Sequence, residues 1–503
     1  MAIRRYTASA DTTITNAFEA NMRLRGTGSN MGYADSLEVF SVYGQESGST
    51  TGNSQELTRL LINFPISTII ADRAASPSRL PASGSVSFYL RMYNAEHPFT
   101  LPQDFTLDVV PVSESWSEGT GLDMDEYQDF GAANWIKPTT TTTWDTIGGT
   151  YHTATADTNY KVVFPQGYED IELDISDLVE QWIDGTYTNY GLGIKLTASQ
   201  EAYYSSSTGE NTSVLINNTV GAKQSYYTKK FFARSSEFFF KQPVIEARWD
   251  SRITDDRGSF YYSSSLAPAA DNLNTLYFYN YVRGRLTNIP AVGTNDILVS
   301  LYSGSSTVPT GTALTLYDGN TNITGGYVSP GIYSASVALT AAATPIQKLY
   351  DVWHSGGVQY FTSSIAPEKI PTYNNAPTFQ FDTAIKNLKA NYTTSESARF
   401  RLFIRNKDWS PNLYTVATAI NPTELITSAS YKIYRVFDNL DVVGYGTGSK
   451  KSTYLSSDVS GNYFDLNISL LDPGYQYGIK LSYYNGSIGD WVEQPETFKF
   501  RVE

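Results

Sequence analysis

The stretch DISDLVEQWIDGTYTNYGLGIKL, residues 174–196, holds the change of period that decides the fold. Its first half sets Ile175, Leu178, Val179, Trp182 and Ile183 at i, i+3, i+4, i+7 and i+8, one face of a short amphipathic helix. Asp177 followed by Glu180 fits a capping-box start, and Gly185 stands where a left-handed residue ends such a helix. Directly afterwards the period falls to two, with Leu192, Ile194 and Leu196 on one side of a strand. The spacing predicts a helix laid on a sheet that the chain then re-enters. No other stretch is as strongly helix-patterned, so this helix is expected to stand alone among strands.

Composition agrees with that frame. Aromatic residues make up 14% of the chain, led by 38 Tyr, and Ser, Thr and Gly are abundant, which suits short strands joined by tight turns. At about 100–200 residues per domain, 503 residues imply three or four domains, each large enough to bury its own core.

Charge and missing residue types narrow the chemistry. The formal net charge is −14, and the longest Lys/Arg runs are the pairs Arg4-Arg5, Lys229-Lys230 and Lys450-Lys451. Such a surface repels phosphate backbones and anionic lipid, so neither nucleic acid nor a membrane is an expected partner. The opening MAIRRYTASADTTIT lacks an apolar core of signal-peptide length, and no window approaches the roughly 20 apolar residues of a membrane span. The expectation is a protein folded in the cytoplasm where it is made. Cys is absent, which removes disulfides, thiolate nucleophiles and cysteine metal sites. The three His, His97, His152 and His354, sit in separate segments without a second ligand at metal spacing, so a zinc site or histidine triad is not expected. No cofactor is implied.

Punctuation divides the chain. Residues 1–251 end in KQPVIEARWDSR, where Val244, Ile245, Ala247 and Trp249 read as a closing strand after Pro243. A polar joint leads to a second unit, 252–370, with strand signals in TLYFYNYVRGRL, DILVSLYSG and SPGIYSASVAL. The Pro/Asn-rich APEKIPTYNNAP, 366–377, reads as the next boundary, and the third unit covers 371–503.

Residues 1–251 resemble the DNRLRE-type β-sandwich module. The resemblance rests on the order and spacing of ADTTITNAF, SLEVF, LTRLLINFPIS in the place of the family's Arg-Leu-Leu-x-Phe strand, SVSFYLRMY, SWSEGTG, TIGG, ISDLVEQWIDGTYTNYGLGIKL and the Pro-led last strand. It implies a jelly-roll-like sandwich in which the short helix caps one open side and Trp182 is buried. Such modules occur in carbohydrate-associated surface proteins and in phage particles, so the resemblance speaks to fold more than to function. Two departures stand out: a long insertion-like segment within 197–242, and the absence of the secretion signal that a wall-bound sugar binder would carry.

In the third unit LLDPGYQYGIKLSYY sets a Leu-x-Pro-Gly turn at Leu471–Gly474 before alternating Tyr475, Tyr477, Ile479, Leu481 and Tyr483. This is similar to the tyrosine corner of immunoglobulin-like and fibronectin-type sandwiches, with Tyr477 in the corner position. ARFRLFIRNKDWSP alternates Phe400, Leu402 and Ile404 against Arg399, Arg401 and Arg405, a strand with one buried and one basic face. Pro330-Gly331-Ile332-Tyr333 repeats the corner theme more weakly in the second unit. GNYFDLNISLLDPGYQYGIKLSYYNGSIGDWVEQPETFKFRVE, with KLYDVWHSGGVQYFTSSI, resembles structural proteins of marine contractile-tailed cyanophages, over about the last half of the chain.

Three sets of residues invite chemistry. Asp123, Asp125, Glu126 and Asp129 in GLDMDEYQDF offer alternating oxygen ligands of the kind Ca²⁺ takes, yet the loop lacks the glycine and the later bidentate Glu of an EF-hand, and a solvated acidic loop is the plainer reading. Glu114 and Glu118 could form a glycosidase pair, but such pairs are defined by distance in space, which sequence proximity does not report. Trp116, Trp135, Trp144 and the pairs Tyr203-Tyr204 and Tyr226-Tyr227 could stack on sugar rings, although in a sandwich such residues are more often core. Trp116 and Trp182 join Tyr477 as expected structural residues. The sequence as a whole points to an all-β chain: one jelly-roll-like sandwich with one capping helix, then two immunoglobulin/fibronectin-like sandwiches. The expected function is a non-enzymatic virion structural protein of a tailed phage, in contact with other virion proteins and copies of itself. A carbohydrate-binding host-adhesion module is the alternative, and a polysaccharide-cleaving enzyme the weaker one.

Overall fold

The computed structural model describes residues 3–503 except 45–53, 76–77, 97–102, 124–131, 153–159, 207–212, 264–267, 305–308, 340–345, 368–380, 408–422, 447–450 and 487. The chain packs as two compact units, Ala2–Trp249 and Asp250–Glu503. The first division falls at Trp249/Asp250, while the predicted boundary near residue 370 lies outside the described residues.

The first unit is a two-sheet sandwich. Its strands are β1 (Ile3–Thr7), β2 (Ala10–Thr15), β3 (Ser36–Gly44), β4 (Ser54–Asn63), β5 (Val86–Met92), β6 (Phe105–Pro111), β7 (Tyr160–Phe164), β8 (Ile171–Asp174), β9 (Leu192–Leu196), β10 (Tyr226–Phe232) and β11 (Val244–Trp249). One sheet runs β1-β11-β5-β8; the other runs β10-β3-β4-β9-β6-β7, with β2 also on β4. β3 takes the first residues of β4 and β2 the rest, so the two lie in line along one edge. The first and last strands pair, Tyr6 opposite Ile245, which closes the unit. β10 lies inside the segment that reads as an insertion, and it forms an edge strand on β3.

The alternation of β9 has a simple consequence: Leu192, Ile194 and Leu196 are buried between the sheets with Leu60, Ile62, Phe88, Leu90 and Ile245. The helix α2 (Ser176–Asp184) turns Leu178, Val179 and Trp182 into this core. Gly185 ends it at φ 84°, ψ 9°, the left-handed cap its position predicts. The start differs from the predicted capping box. Asp174 Oδ1 accepts from Ser176 N at 3.1 Å, while Glu180 accepts two 2.7 Å bonds from the Arg73 guanidinium. A bidentate charged partner holds that carboxylate away from the helix N-terminus.

Arg73 belongs to a second helix, α1 (Ile66–Ala74), so the expectation of one capping helix is corrected to two. Its residues ISTIIADRA are rich in β-branched side chains, which lower helix propensity, and carry no strong helical pattern. Tertiary contacts decide otherwise. Ile66 and Ile69 fill the core, and buried Asp72 accepts from Tyr6 Oη at 3.0 Å and pairs with Arg4 at 2.6 Å.

The second unit opens with β12 (Asn274–Tyr279), the short hairpin β13 (Tyr281–Val282) and β14 (Arg285–Leu286), then β15 (Ile297–Ser303), β16 (Ile323–Ser329), β17 (Ile332–Val337), β18 (Leu349–Ser355) and β19 (Val358–Ile365). Six of them run β12-β17-β16-β15-β18-β19, all antiparallel. The start of β16 pairs with β15 and its end with β17. The sheet curls so that Phe278 of β12 stacks on Phe361 of β19 at 5.0 Å, with Trp353 at 5.7 Å.

The chain continues in β20 (Phe381–Ile385), β21 (Asn391–Tyr392), β22 (Ser397–Asn406), β23 (Ala429–Arg435), β24 (Asp441–Val443), β25 (Ser456–Asp458), β26 (Gly461–Asn467), β27 (Gln476–Asn485), β28 (Asp490–Glu493) and β29 (Phe498–Val502). A sheet β20-β22-β26-β25 faces a sheet β21-β29-β27-β23-β24, with β28 on β27. Phe464 bridges them, stacked on Tyr431 at 4.1 Å and on Phe400 at 5.0 Å. Both parts are immunoglobulin-like sandwiches, and the protein is all-β. Tyr477 is fully buried and its hydroxyl donates to the Asp472 carbonyl at 3.0 Å. Tyr477→Phe removes that donor and keeps the ring, so a loss of about 1–2 kcal/mol is expected. A thermal transition of Asp250–Glu503 unchanged by the substitution would show that the corner bond carries no stability.

The alternation in β22 buries Phe400, Leu402 and Ile404 as predicted, but its other face is not a free basic surface. Arg399 pairs with Asp465, Arg401 with Asp458 and Arg405 with Asp382, at 2.7, 2.7 and 2.9 Å, each Asp from another strand of the same sheet. Opposite charges facing across strands stabilise the pairing, and sequence periodicity cannot show them.

Candidate functional site

The outer face of the seven-stranded sheet is the place where a sugar-binding sandwich would expose its aromatics. Here loops cover it with a second small core. Ile14, Leu57 and Leu61 on the strands meet Val112, Ala133, Trp135, Trp144 and Ala202 from the loops. Trp135 is 0% and Trp144 4% exposed, and their indole nitrogens donate to Val214 O and Asn134 O at 2.9 and 2.8 Å. Neither ring has a face left for a sugar. Trp116 is half-buried with its nitrogen on Tyr190 O at 2.8 Å, and Trp182 is buried in the main core. Of the tyrosine pairs, Tyr204 is buried, Tyr203 lies under the Lys223 ammonium at 4.8 Å, and Tyr226 Oη meets Gln224 at 2.5 Å. The Tyr227 side chain lies outside the described residues.

Into this covered layer the sheet sends an arginine. Arg59 of β4 donates from Nε and Nη2 to both Glu201 oxygens at 2.9 and 2.8 Å, and from Nη1 to Gly148 O at 2.9 Å. Both side chains are 5% exposed. The guanidinium also lies 5.4 Å from the Trp135 ring centroid. Enclosed this way, the pair ties β4 to the loop after β9.

The carboxylates Glu114 and Glu118 have different partners. Glu114 accepts from the Asp145 amide at 3.1 Å, whereas Glu118 binds the Arg234 guanidinium in two-pronged fashion at 2.8 and 2.9 Å and accepts from the Asp11 amide at 2.8 Å. The structure adds a carboxyl that sequence reading passes over. Asp11 is 0% exposed, accepts from the Arg234 amide at 2.6 Å through Oδ2, and among the described residues its Oδ1 has no hydrogen-bond partner. Burial, opposed by the bond from the Arg234 amide and reinforced by Glu118, pushes it up to about 7. A general acid must reach its substrate, and a carboxyl with no exposed surface does not. No sequence signal marks Asp11, which reads as an ordinary strand-start residue of ADTTIT.

A carboxyl raised above its unfolded value binds a proton in the folded state that the unfolded chain releases. Its contribution is fully present below the unfolded pKa near 3.8 and is lost as pH rises through about 7. Asp11→Asn is therefore expected to flatten the decline in stability of the first unit between about pH 4 and pH 7. Denaturant titrations across that range check it; parallel wild-type and variant slopes would show that Asp11 ionises freely.

Of the weak metal candidates, Asp123 is described, while Asp125, Glu126 and Asp129 lie outside the described residues. Among the described residues no three His, Cys, Asp or Glu side chains gather as a metal cluster would require. His97 is outside them as well. His152 packs edge-on against Tyr187 at 4.7 Å, and burial lowers it. His354 Nε2 meets Ser300 Oγ at 2.9 Å across adjacent strands β18 and β15. No helix among the described residues is long and apolar enough to cross a membrane.

Within Asp250–Glu503 the connecting segment forms a joint. Thr254 bridges Ser457 in parallel, with Asp255 N to Ser457 O at 3.0 Å and Ser457 N to Ile253 O at 2.9 Å, so the segment caps the open edge of β25. Arg257 then pairs with Asp255 at 2.8 Å and with fully buried Asp351 at 2.7 Å, whose other contact is the Trp353 indole at 2.8 Å. Burial, partly offset by Arg257, pushes Asp255 up to about 6. Arg399 and Arg401 stack on Tyr463 at 4.4 and 5.0 Å, and Tyr279 of β12 is raised by burial and by nearby Tyr463 and Asp458. The connecting segment thus adds a strand to the edge of β25 in the last sandwich and is fastened through Arg257 to Asp351 in the one before it.

No protein-family model matches the chain. No curated protein matches it. Among solved structures it is similar to the N-terminal Ig1-2 module of the Drosophila receptor protein tyrosine phosphatase DLAR, at 8% identity and TM-score 0.13, over 46% of this chain and 90% of that one. The tandem Ig repeats of Dlar give 9% identity and TM-score 0.13, over 41% and 81%.

Proposed function

We propose that this chain is a non-enzymatic structural protein of a tailed-phage particle, incorporated in a fixed number of copies through contacts with other virion proteins and with itself. The observation that carries the reading is that the side chains suited to chemistry or to sugar stacking are engaged by the fold itself. Glu118 holds Arg234, Glu201 holds Arg59, and Trp135 and Trp144 are core. The polar groups act as fasteners between strands and loops. The edge of β25, capped by Ile253–Asp255, shows how this architecture makes contacts: a sheet edge takes an extended segment, and the same interaction joins separate chains when the segment comes from outside. The resemblance of the last half of the chain to cyanophage structural proteins supplies the setting. The location on the particle is the neck, the tail, a fibre base or the capsid surface.

The test is quantitative mass spectrometry of purified particles from the source lysate, combined with immunogold labelling against residues 378–503. The expected result is a constant copy number per particle and gold at one position. Unlabelled particles with the protein free in the lysate would overturn the proposal, and glycan-array binding by the same preparation would then favour the adhesion reading.

A further inference from the structure

Among the described residues Lys229 of β10 is the one buried lysine, 1% exposed. Its ammonium sits between two rings of the main core, 4.8 Å from the Phe164 centroid and 5.0 Å from that of Phe231. Nζ donates to Asn94 Oδ1 at 2.7 Å, to Glu169 O at 2.7 Å and to Gly167 O at 3.2 Å. These three acceptors are neutral, whereas the buried Arg59 guanidinium is held by the Glu201 carboxylate. Neutral acceptors offset only part of the cost of enclosing a full charge.

The contact with Asn94 also has the geometry of a reaction. A carboxamide C=O bond is about 1.23 Å long, so Nζ lies no more than about 3.9 Å from Asn94 Cγ, and a small side-chain rotation brings it to the roughly 3–3.5 Å of a near-attack arrangement. Burial lowers the Lys229 ammonium to about 8, with Asp170 and Glu169 pulling the other way, so about a tenth of it is free amine at pH 7. Desolvation of this kind is one way a lysine becomes a nucleophile. A carboxylate stands beside the pair, since Asp170 Oδ1 accepts from Asn94 N at 2.7 Å. The two backbones are held in register: Asn94 bridges Phe231, with Ala95 N donating to Lys230 O at 3.0 Å and Phe232 N to Tyr93 O at 3.1 Å.

We propose that Lys229 and Asn94 join in an intramolecular isopeptide bond. The lone pair of the free amine forms the bond from Nζ to Cγ, the Cγ–Nδ2 bond breaks, and the proton shed by Nζ passes to Nδ2 by way of the Asp170 carboxylate, so that ammonia leaves. The exchange of one amide for another needs no oxidant, reductant or co-reactant. Its product is neutral, so the buried charge disappears with the reaction. The bond spans a sequence separation of 135 residues and ties β10, an edge strand of the seven-stranded sheet, to the chain just past β5 of the four-stranded sheet. A unit with no Cys thereby gains a covalent tie across its sandwich, which restricts the unfolded chain as any cross-link does. The bond is independent of the structural-protein reading and goes beyond it.

Intact-mass spectrometry of the purified full chain, followed by tryptic mapping, tests it. The expected wild-type mass is one ammonia below that of the sequence, with the peptide that contains Asn94 linked through Lys229 to the peptide from β10. Asn94→Ala and Lys229→Met should each restore the full sequence mass and lower the thermal transition of the first unit by about 10 °C, because the unfolded chain regains its open loop. A wild-type chain of full sequence mass, even after ageing in mildly alkaline buffer, would refute the bond. So would an ammonia loss that persists in Lys229→Met or maps within a single peptide, since an asparagine that cyclises onto its own backbone loses the same mass. The copy number in particles, which tests the structural-protein reading, is untouched by either result.

Discussion

Replacing Arg59 with Met is expected to destabilise the first unit by about 3–5 kcal/mol, since it leaves the Glu201 carboxylate enclosed and uncompensated. For a unit of this size that is a fall of about 6–20 °C in its thermal transition, read by calorimetry on the full chain. The physics makes a sharper forecast for the double variant. Arg59→Met with Glu201→Leu removes both charges from a site lined by Trp135 and Tyr151, so most of the loss should be recovered. A single variant within about 1 kcal/mol of wild type would mean that water reaches the pair and that the loop cover is open in solution.

The second large effect concerns the other sheet. On its outer face Glu246 of β11 binds Arg5 of β1 at 2.7 Å, Arg248 beside it at 2.5 Å and Arg91 of β5 at 3.3 Å, while Arg248 reaches Glu172 of β8 at 2.6 Å. One network therefore crosses all four strands, β1-β11-β5-β8. Burial pushes the Glu246 carboxyl up, but Arg5, Arg91 and Arg248 more than offset it and hold the group far below the usual carboxylate range. Glu246→Gln leaves three arginines with Glu172 as their one remaining carboxylate in the network and is expected to cost about 3 kcal/mol or more at neutral pH. The sign follows from the lowered value. The stabilisation is present above the unfolded carboxylate pKa near 4.5 and fades only as pH falls well below it. Urea midpoints of wild type and variant should differ most near pH 7 and approach each other in strong acid. A gap independent of pH would assign the effect to packing rather than charge.

Much of the candidate site could not be read from sequence, and the reason is specific. The alternation in VIEARW places Glu246 and Arg248 opposite Ile245 and Ala247, which is the pattern of a face turned to water. That face is instead closed by its own charge network, with Glu246 only 2% exposed. Trp135 and Trp144 carry no period that tells core from binding surface, and only their loop partners Val214 and Asn134 decide the matter. Asp11 shows the same limit in a single residue: its raised value comes from enclosure by segments more than 100 residues away, among them Glu118 and Arg234.

The sequence by itself determined the all-β class, the place and end of α2, the re-entry into β9 and the Leu471–Gly474 turn that leads to Tyr477, because each rests on spacing within a few residues. Helical and strand periods are local properties of a chain, and Gly185 acts on its own backbone. The tertiary structure alone decided that β-branched ISTIIADRA is a helix, that the arginines of β22 face aspartates, and that Trp135 and Trp144 are core. Those outcomes depend on which side chains meet across 142 residues, as Arg59 and Glu201 do, or 241, as Arg5 and Glu246 do. A charged side chain is stable inside a protein only when its partner arrives, and folding brings it.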